Sequence, residues 1–461
     1  MEKACIATLY FKGINQREQA ELSDQCNCLA KIYGDVADFL PPIPVEPDIA
    51  AKLPTKADAV LFPQLVGEAF GEKESLQKIT LPVIVLTSQF GTVEMWDWEI
   101  ISFMRDAGLN VFSPYNIELA KVIFRALICK KRNPTFLMFQ DNPGEGKQAS
   151  IFKRFYWWED QCTQALEKTF GLKIIYKSYK SLCQRASAID DKSAKAASLD
   201  WSVPVPMEGV TEANYLKAVK IYMAVKEVME EIGGQEGIQI QEGLKAIDGV
   251  GANCLNESFH SDTTPCLAWN MLYEKDHILW ACEGDTLTLV SKYIFYSILQ
   301  KPIMMTNIYP FLVGMAALKH EKIDHFPDVP NPDNHALGVH CGYFGLAPQS
   351  FCTQWTLRPK VLEIVNEDAI MVDCRMATGP ITLAKLHSDL KKVTLIKCEI
   401  VDYVGYPGSD CRNGALIHYL NDNGHEVMDA LSSHHALIIQ GDQIPFLVQG
   451  LRVFGFEVRV M

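Results

Sequence analysis

Short apolar, β-leaning runs alternate with helix-length segments from residue 4 to residue 282, and from residue 369 onward strand follows strand. The apolar runs of the first part fall at 4–11, 59–66, 81–87, 135–140, 173–176 and 278–282. Helical patterns occupy 15–32, 96–130 with an interruption near 108–114, and 212–232. Strand-helix-strand order of this kind predicts parallel sheets with helices on both faces. Pro41, Pro42, Pro44 and Pro47 mark an extended irregular loop between the first runs. Later, 369–374, 380–387 and 392–404 read as strands joined by turns, so the last part is expected to be mostly antiparallel β. At roughly 100–200 residues per domain, three domains are expected. They are an amino-terminal α/β domain at 1–165, a central α/β domain at 166–330 and a β-rich carboxyl domain at 331–461.

Composition removes whole classes of function. With 48% hydrophobic and 21% charged residues the chain is that of a compact protein. A formal charge of −13, from 43 basic and 56 acidic residues, opposes nucleic-acid or anionic-membrane binding as the main task. The first 13 residues hold one apolar stretch of about five residues, too short for a secretory core or a membrane span. A cytoplasmic protein is expected. The 14 cysteines form no C-x-x-C pair, which suits thiols in a reducing compartment better than a zinc cluster. Gly144-Glu145-Gly146-Lys147 resembles a phosphate loop only in part, because Asp141 and Gln148 stand where that loop needs glycine and a hydroxyl.

All 11 histidines lie at or after His260, which points the chemistry to the second half. Three segments place a metal-capable group at the end of an apolar run. In Trp280-Ala281-Cys282-Glu283-Gly284-Asp285, a buried strand delivers two carboxylates, each costly to bury unless paired or bound to a cation. The plainer alternative is that Asp285 caps the following helix and Glu283 joins a salt bridge. The segment 337–342 ends in His340, and 431–442 opens a strand with His434 and His435, only one of which can face a given site.

Together these segments resemble the L-fucose and L-arabinose isomerase family of metal-dependent aldose–ketose isomerases. The resemblance runs through Thr87-Ser88-Gln89-Phe90-Gly91, Trp96-Asp97 and Glu99, then Cys282-Glu283-Gly284-Asp285, His340-Cys341-Gly342, Thr378-Gly379-Pro380-Ile381-Thr382-Leu383 and His434-His435. It implies two Rossmann-like α/β domains followed by a mostly antiparallel β domain. A site between the last two, a divalent cation such as manganese, and a homo-oligomer, trimer or hexamer, are also implied. Glu283 becomes metal ligand and proton-transfer residue, His435 a metal ligand, and His340 a site-lining group that can bind metal. His434, Asp262 and Trp96 are the candidate substrate contacts.

Residue chemistry fits the same scheme. Moving a carbonyl between adjacent sugar carbons needs a base beside it and stabilisation of the enediolate charge. A divalent ion held by carboxylate and imidazole supplies the second. The departure is Asn307, which stands where the family has its second metal carboxylate; an amide oxygen can coordinate but brings no charge and is a far weaker base. Asp285, Asp262 and Glu257 are candidates to supply the missing group. Tyr156-Trp157-Trp158 reads as a sugar-stacking cluster or as core, and Arg358, Arg375 and Arg412 as anion binders or solvated surface. The leading expectation is a sugar isomerase. Its rivals are a metal-independent glycoside-cleaving enzyme acting through paired carboxylates, and a non-catalytic sugar-binding protein.

Overall fold

The structure, a computed structural model, describes residues 2–141, 159–201, 205–235, 247–311, 329–340, 347, 349–359, 366–404 and 414–461. Two compact units divide the chain. The first holds residues 1–132, 297–299 and 445–456, and the second holds 133–296, 300–444 and 457–461.

In the first unit β1 (Ala4–Tyr10), β2 (Ala37–Phe39), β3 (Ile43–Pro44), β4 (Ala59–Phe62), β5 (Val83–Val85) and β6 (Val111–Phe112) form a parallel sheet. Its order is β2-β1-β4-β5-β6, with β3 beside β1. Strands β4, β5 and β6 are buried throughout, which is why they read as unbroken apolar runs. Val60, Phe62, Val83 and Val85 pack with Ile101 and Met104 in the core. The helix Gln16–Tyr33 starts at a capping box in which Asn15 and Glu18 satisfy each other's backbone. The helical stretch expected over 96–130 with an interruption near 108–114 is two helices, Trp98–Asp106 and Ile117–Lys131, and β6 fills the interruption. A strand of two residues is too short to leave a period in the sequence.

The second unit contains both kinds of sheet. β7 (Thr135–Phe139), β8 (Lys173–Lys177), β9 (Gly249–Ala252) and β10 (Leu279–Ala281) lie parallel in the order β10-β9-β7-β8. Gly251 allows a close approach here, since a Cβ would sit 2.6 Å from the Met138 side chain and 3.2 Å from the Ala281 carbonyl. After β10 a tight turn, Cys282–Gly284, leads into the helix Thr286–Leu299. That helix carries Leu287, Leu289, Val290, Ile294 and Phe295 into the core and is apolar nearly all round.

The antiparallel part begins well before residue 369. β11 (Met304–Pro310) and β12 (His335–Val339) join β15 (Gly379–Leu386), β16 (Lys392–Val404), β17 (Gly414–Tyr419) and β18 (His435–Gln440). These six strands run β15-β18-β11-β12-β17-β16 and close through the β15–β16 pairing into a barrel, with β19 (Glu457–Val460) parallel on β16. β11 is buried on both faces, as are most of the barrel strands that follow it. β13 (Gln354–Pro359) and β14 (Ile370–Arg375) make a separate antiparallel pair. A short helix, Gly424–Ala430, interrupts the strand-rich end and is started by an Asn423–Glu426 capping box. Among the described residues no two cysteines are joined in a disulfide. Among the described residues no helix is long and apolar enough to cross a membrane.

Candidate active site

Strand register lines up the site. In the barrel Asn307 on β11 lies opposite His435 on β18 and opposite Val339 on β12, and His340 follows Val339 directly. Directly opposed residues on an antiparallel pair point to the same face, so Asn307 and His435 are neighbours across the row. The His340 and His435 ring centroids are 6.1 Å apart, and those of His434 and His435 are 4.6 Å apart. Tyr309 stacks on His434 with centroids at 5.7 Å. His434 is therefore part of the cluster, although strand alternation alone gives only one of the pair a place there. Burial, helped by the His435, Lys385 and His340 charges, lowers the pKa of His434 to about 3 and keeps it neutral at ordinary pH.

The second contribution comes from the carboxyl end of β10. Asp285 is the N-cap of the helix Thr286–Leu299. Its Oδ1 accepts the Thr288 backbone N–H at 2.8 Å, and its Oδ2 accepts the Thr288 hydroxyl at 2.8 Å. Oδ2 also lies 2.7 Å from His435 Nδ1, and both side chains are 0% exposed. Burial alone pushes Asp285 upward, but the His435 hydrogen bond and the Lys385 charge outweigh it and hold the pKa at about 2. Because an ionised carboxylate only accepts, Nδ1 carries the hydrogen. A histidine fixed in this way presents Nε2 as its ligating or proton-accepting nitrogen.

Glu283, two residues earlier, is buried and sits in the left-handed region with φ of 54°. For a non-glycine residue that conformation is strained, and such strain gathers where a side chain must be aimed. The cap reading of Asp285 is thus correct, and Asp285 also makes the contact to the imidazole.

The remaining candidates have other partners or surroundings of their own. Asp262 is exposed and paired with Lys217 at 2.8 Å. Glu257 is buried, but its carboxylate accepts the Asp141 backbone N–H at 3.0 and 3.1 Å and the Asn253 amide at 3.2 Å, which ties two loops together. Trp96 belongs to the first unit and is 71% exposed in the turn Met95–Asp97. Its neighbour Asp97 accepts the Thr87 hydroxyl at 2.6 Å and the Val66 N–H at 2.8 Å, a local structural role. Arg358 is held by Asp373 and Glu208, and Arg375 lies over the Tyr403 ring at 5.1 Å. Arg412, Tyr156-Trp157-Trp158, Gly144–Lys147 and the Cys341-Gly342 turn lie outside the described residues.

Two buried lysines went unnoticed in the sequence. Lys385 on β15 donates to the Thr288 hydroxyl at 3.5 Å, and burial lowers its pKa while Asp285 opposes the shift. Lys292, fully buried, donates to the Trp280 carbonyl at 3.1 Å and lies over the Trp280 ring at 3.3 Å. A lone charge inside the apolar run 381–386 was the available signal for Lys385.

By residue type alone, the donors available for a divalent cation form a reduced set. Among the described residues no three His, Cys, Asp or Glu side chains come together as a metal group. An amide must complete any set, and Asn307 offers one: its buried Oδ1 has no hydrogen-bond partner in the described structure, while its amide nitrogen donates to the Tyr309 hydroxyl at 3.4 Å. One carboxylate (Glu283), one imidazole (His435) and one amide oxygen (Asn307) are ligand types a manganese-class ion accepts. No family model and no curated protein matches the chain.

Proposed function

We propose that the protein is a divalent-metal-dependent sugar isomerase that interconverts an aldose and a ketose through an enediolate. The observation that carries this reading is the buried Asp285–His435 pair, set beside Asn307 at one row of barrel strands. An imidazole whose other ring nitrogen is hydrogen-bonded to a carboxylate is held in the orientation in which proteins use histidine to ligate a metal. When bound, a divalent ion supplies positive charge for the developing enediolate oxygens. Glu283 takes the proton beside the carbonyl and returns it to the neighbouring carbon. His435 holds its nitrogen in place through Asp285, and Asn307 offers its Oδ1. Neutral His434, stacked on Tyr309, hydrogen-bonds sugar hydroxyls from a dry surface.

The test is product analysis of purified protein with manganese across a panel of aldoses. A ketose is expected from at least one sugar, and Glu283→Gln should cut kcat by about 10²–10⁴-fold. Absence of ketose from every sugar at any manganese concentration would refute the reading.

Asn307 favours one rival, glycoside cleavage without a metal, since it brings no charge to a cation. That chemistry needs a carboxylic acid able to donate its proton. Asp285 is a poor choice, because both its oxygens are engaged and its pKa is about 2. Manganese separates the two readings: a rise in melting temperature on adding it supports the isomerase, through binding to the folded state alone.

A further inference from the structure

The buried hydrogen-bond chain behind His435 reaches beyond the pair already described. Lys385 Nζ on β15 donates to Thr288 Oγ1, Thr288 Oγ1 donates to Asp285 Oδ2, and the same Oδ2 receives His435 Nδ1–H from β18. All four residues are at most 2% exposed. A hydroxyl that accepts from an ammonium has its own hydrogen directed elsewhere, here to Asp285. We propose that Thr288 and Lys385 are positioning residues that act through Asp285 to hold the His435 ring in one orientation, with its hydrogen on Nδ1 and Nε2 turned to the ligand. The proposal rests on the isomerase reading only in naming His435 as the working imidazole.

Its geometry explains two otherwise expensive features. A buried lysine and a buried carboxylate each lose several kcal/mol of hydration unless charge and hydrogen bonds replace it. Thr288 links them across the helix N-terminus and joins strands β15 and β18, which pair side by side in the barrel. Neither Thr288 nor Lys385 has to touch sugar or cation to matter, because a ring that tips by a fraction of an ångström misaligns what it ligates.

Selective ¹⁵N-histidine labelling of the full chain reads the ring directly, with His435→Gln assigning the signal. Wild type should show a single ring form with a hydrogen on Nδ1. Thr288→Val and Lys385→Met should each give a mixture of ring forms, and Thr288→Ser should restore the wild-type pattern. With an active sugar, Thr288→Val should lower kcat about tenfold with KM within about twofold, the usual size for a residue that orients a ligand. If Lys385→Met does not fold, the Thr288→Val and Thr288→Ser pair still decides. An unchanged His435 signal in Thr288→Val, or a loss in Thr288→Ser equal to that in Thr288→Val, overturns the proposal. A ring signal that responds as expected in a protein that makes no ketose defeats the isomerase reading and leaves the positioning role intact.

Discussion

Asp285 does two jobs with two oxygens. As a cap it satisfies the first turn of a buried helix, and as a hydrogen-bond acceptor it fixes an imidazole from the other end of the chain. Replacing it with alanine removes both and leaves His435 and Lys385 buried without their counter-group, so Asp285→Ala should cost about 3–5 kcal/mol in urea unfolding. The pH dependence follows from its depressed pKa. The folded value is about 2 against an ordinary 3.8. The group therefore adds its full stability above about pH 4, and loses it as pH falls from about 4 to 2. Wild type should lose about 2 kcal/mol across that window that Asp285→Asn does not. Superimposable acid-unfolding curves for the two would show that the carboxylate is not ionised and paired as described.

At the scale of elements, the helix Thr286–Leu299 carries an unusual charge. Lys292 is buried beneath Trp280, and burial drives its pKa well below the ordinary range. A lysine depressed in the folded state is protonated more readily when unfolded, so the folded state gains stability as pH rises toward the unfolded pKa near 10.4. Lys292→Met keeps most of the volume and removes the cost of burying an amine that meets the Trp280 carbonyl and ring and, among the described residues, no carboxylate. It should leave stability at pH 7 equal or higher by about 1–2 kcal/mol and flatten its rise between pH 8 and 10, as measured by urea unfolding. Strands such as β1, β4 and β5 were readable because runs buried on both faces are apolar without alternation. Asp285 was readable as a cap, from an acidic residue just before Thr286 and Leu287. Its partner was not readable: His435 lies 150 residues away, and only the barrel register brings it opposite Asn307. β6 showed only as an interruption of the helical pattern, because two residues carry no period.

For the molecule as a whole, closing the barrel removes the strand edges that an open antiparallel sheet exposes. Each of the six strands has at least two partners, and β11 is flanked by β12 and β18. Amide exchange should therefore be slowest in β11, β18 and β15, and faster in the β13–β14 pair, where β14 has β13 as its one strand neighbour and β13 adds only an isolated bridge to Met207. Equal protection of both sets would contradict the closed arrangement. The row that holds Asn307 and His435 thus rests on strands paired on both sides, while Glu283 rests on a turn. That turn has a price of its own. Glu283 and Gly284 both adopt left-handed backbone, with φ of 54° and 69°. A glycine at 283 would relieve about 1–3 kcal/mol of strain and delete the proposed base in one step. A laboratory lineage rewarded only for surviving heat is therefore drawn toward that codon change, and thermal endurance and turnover would part company at a single position.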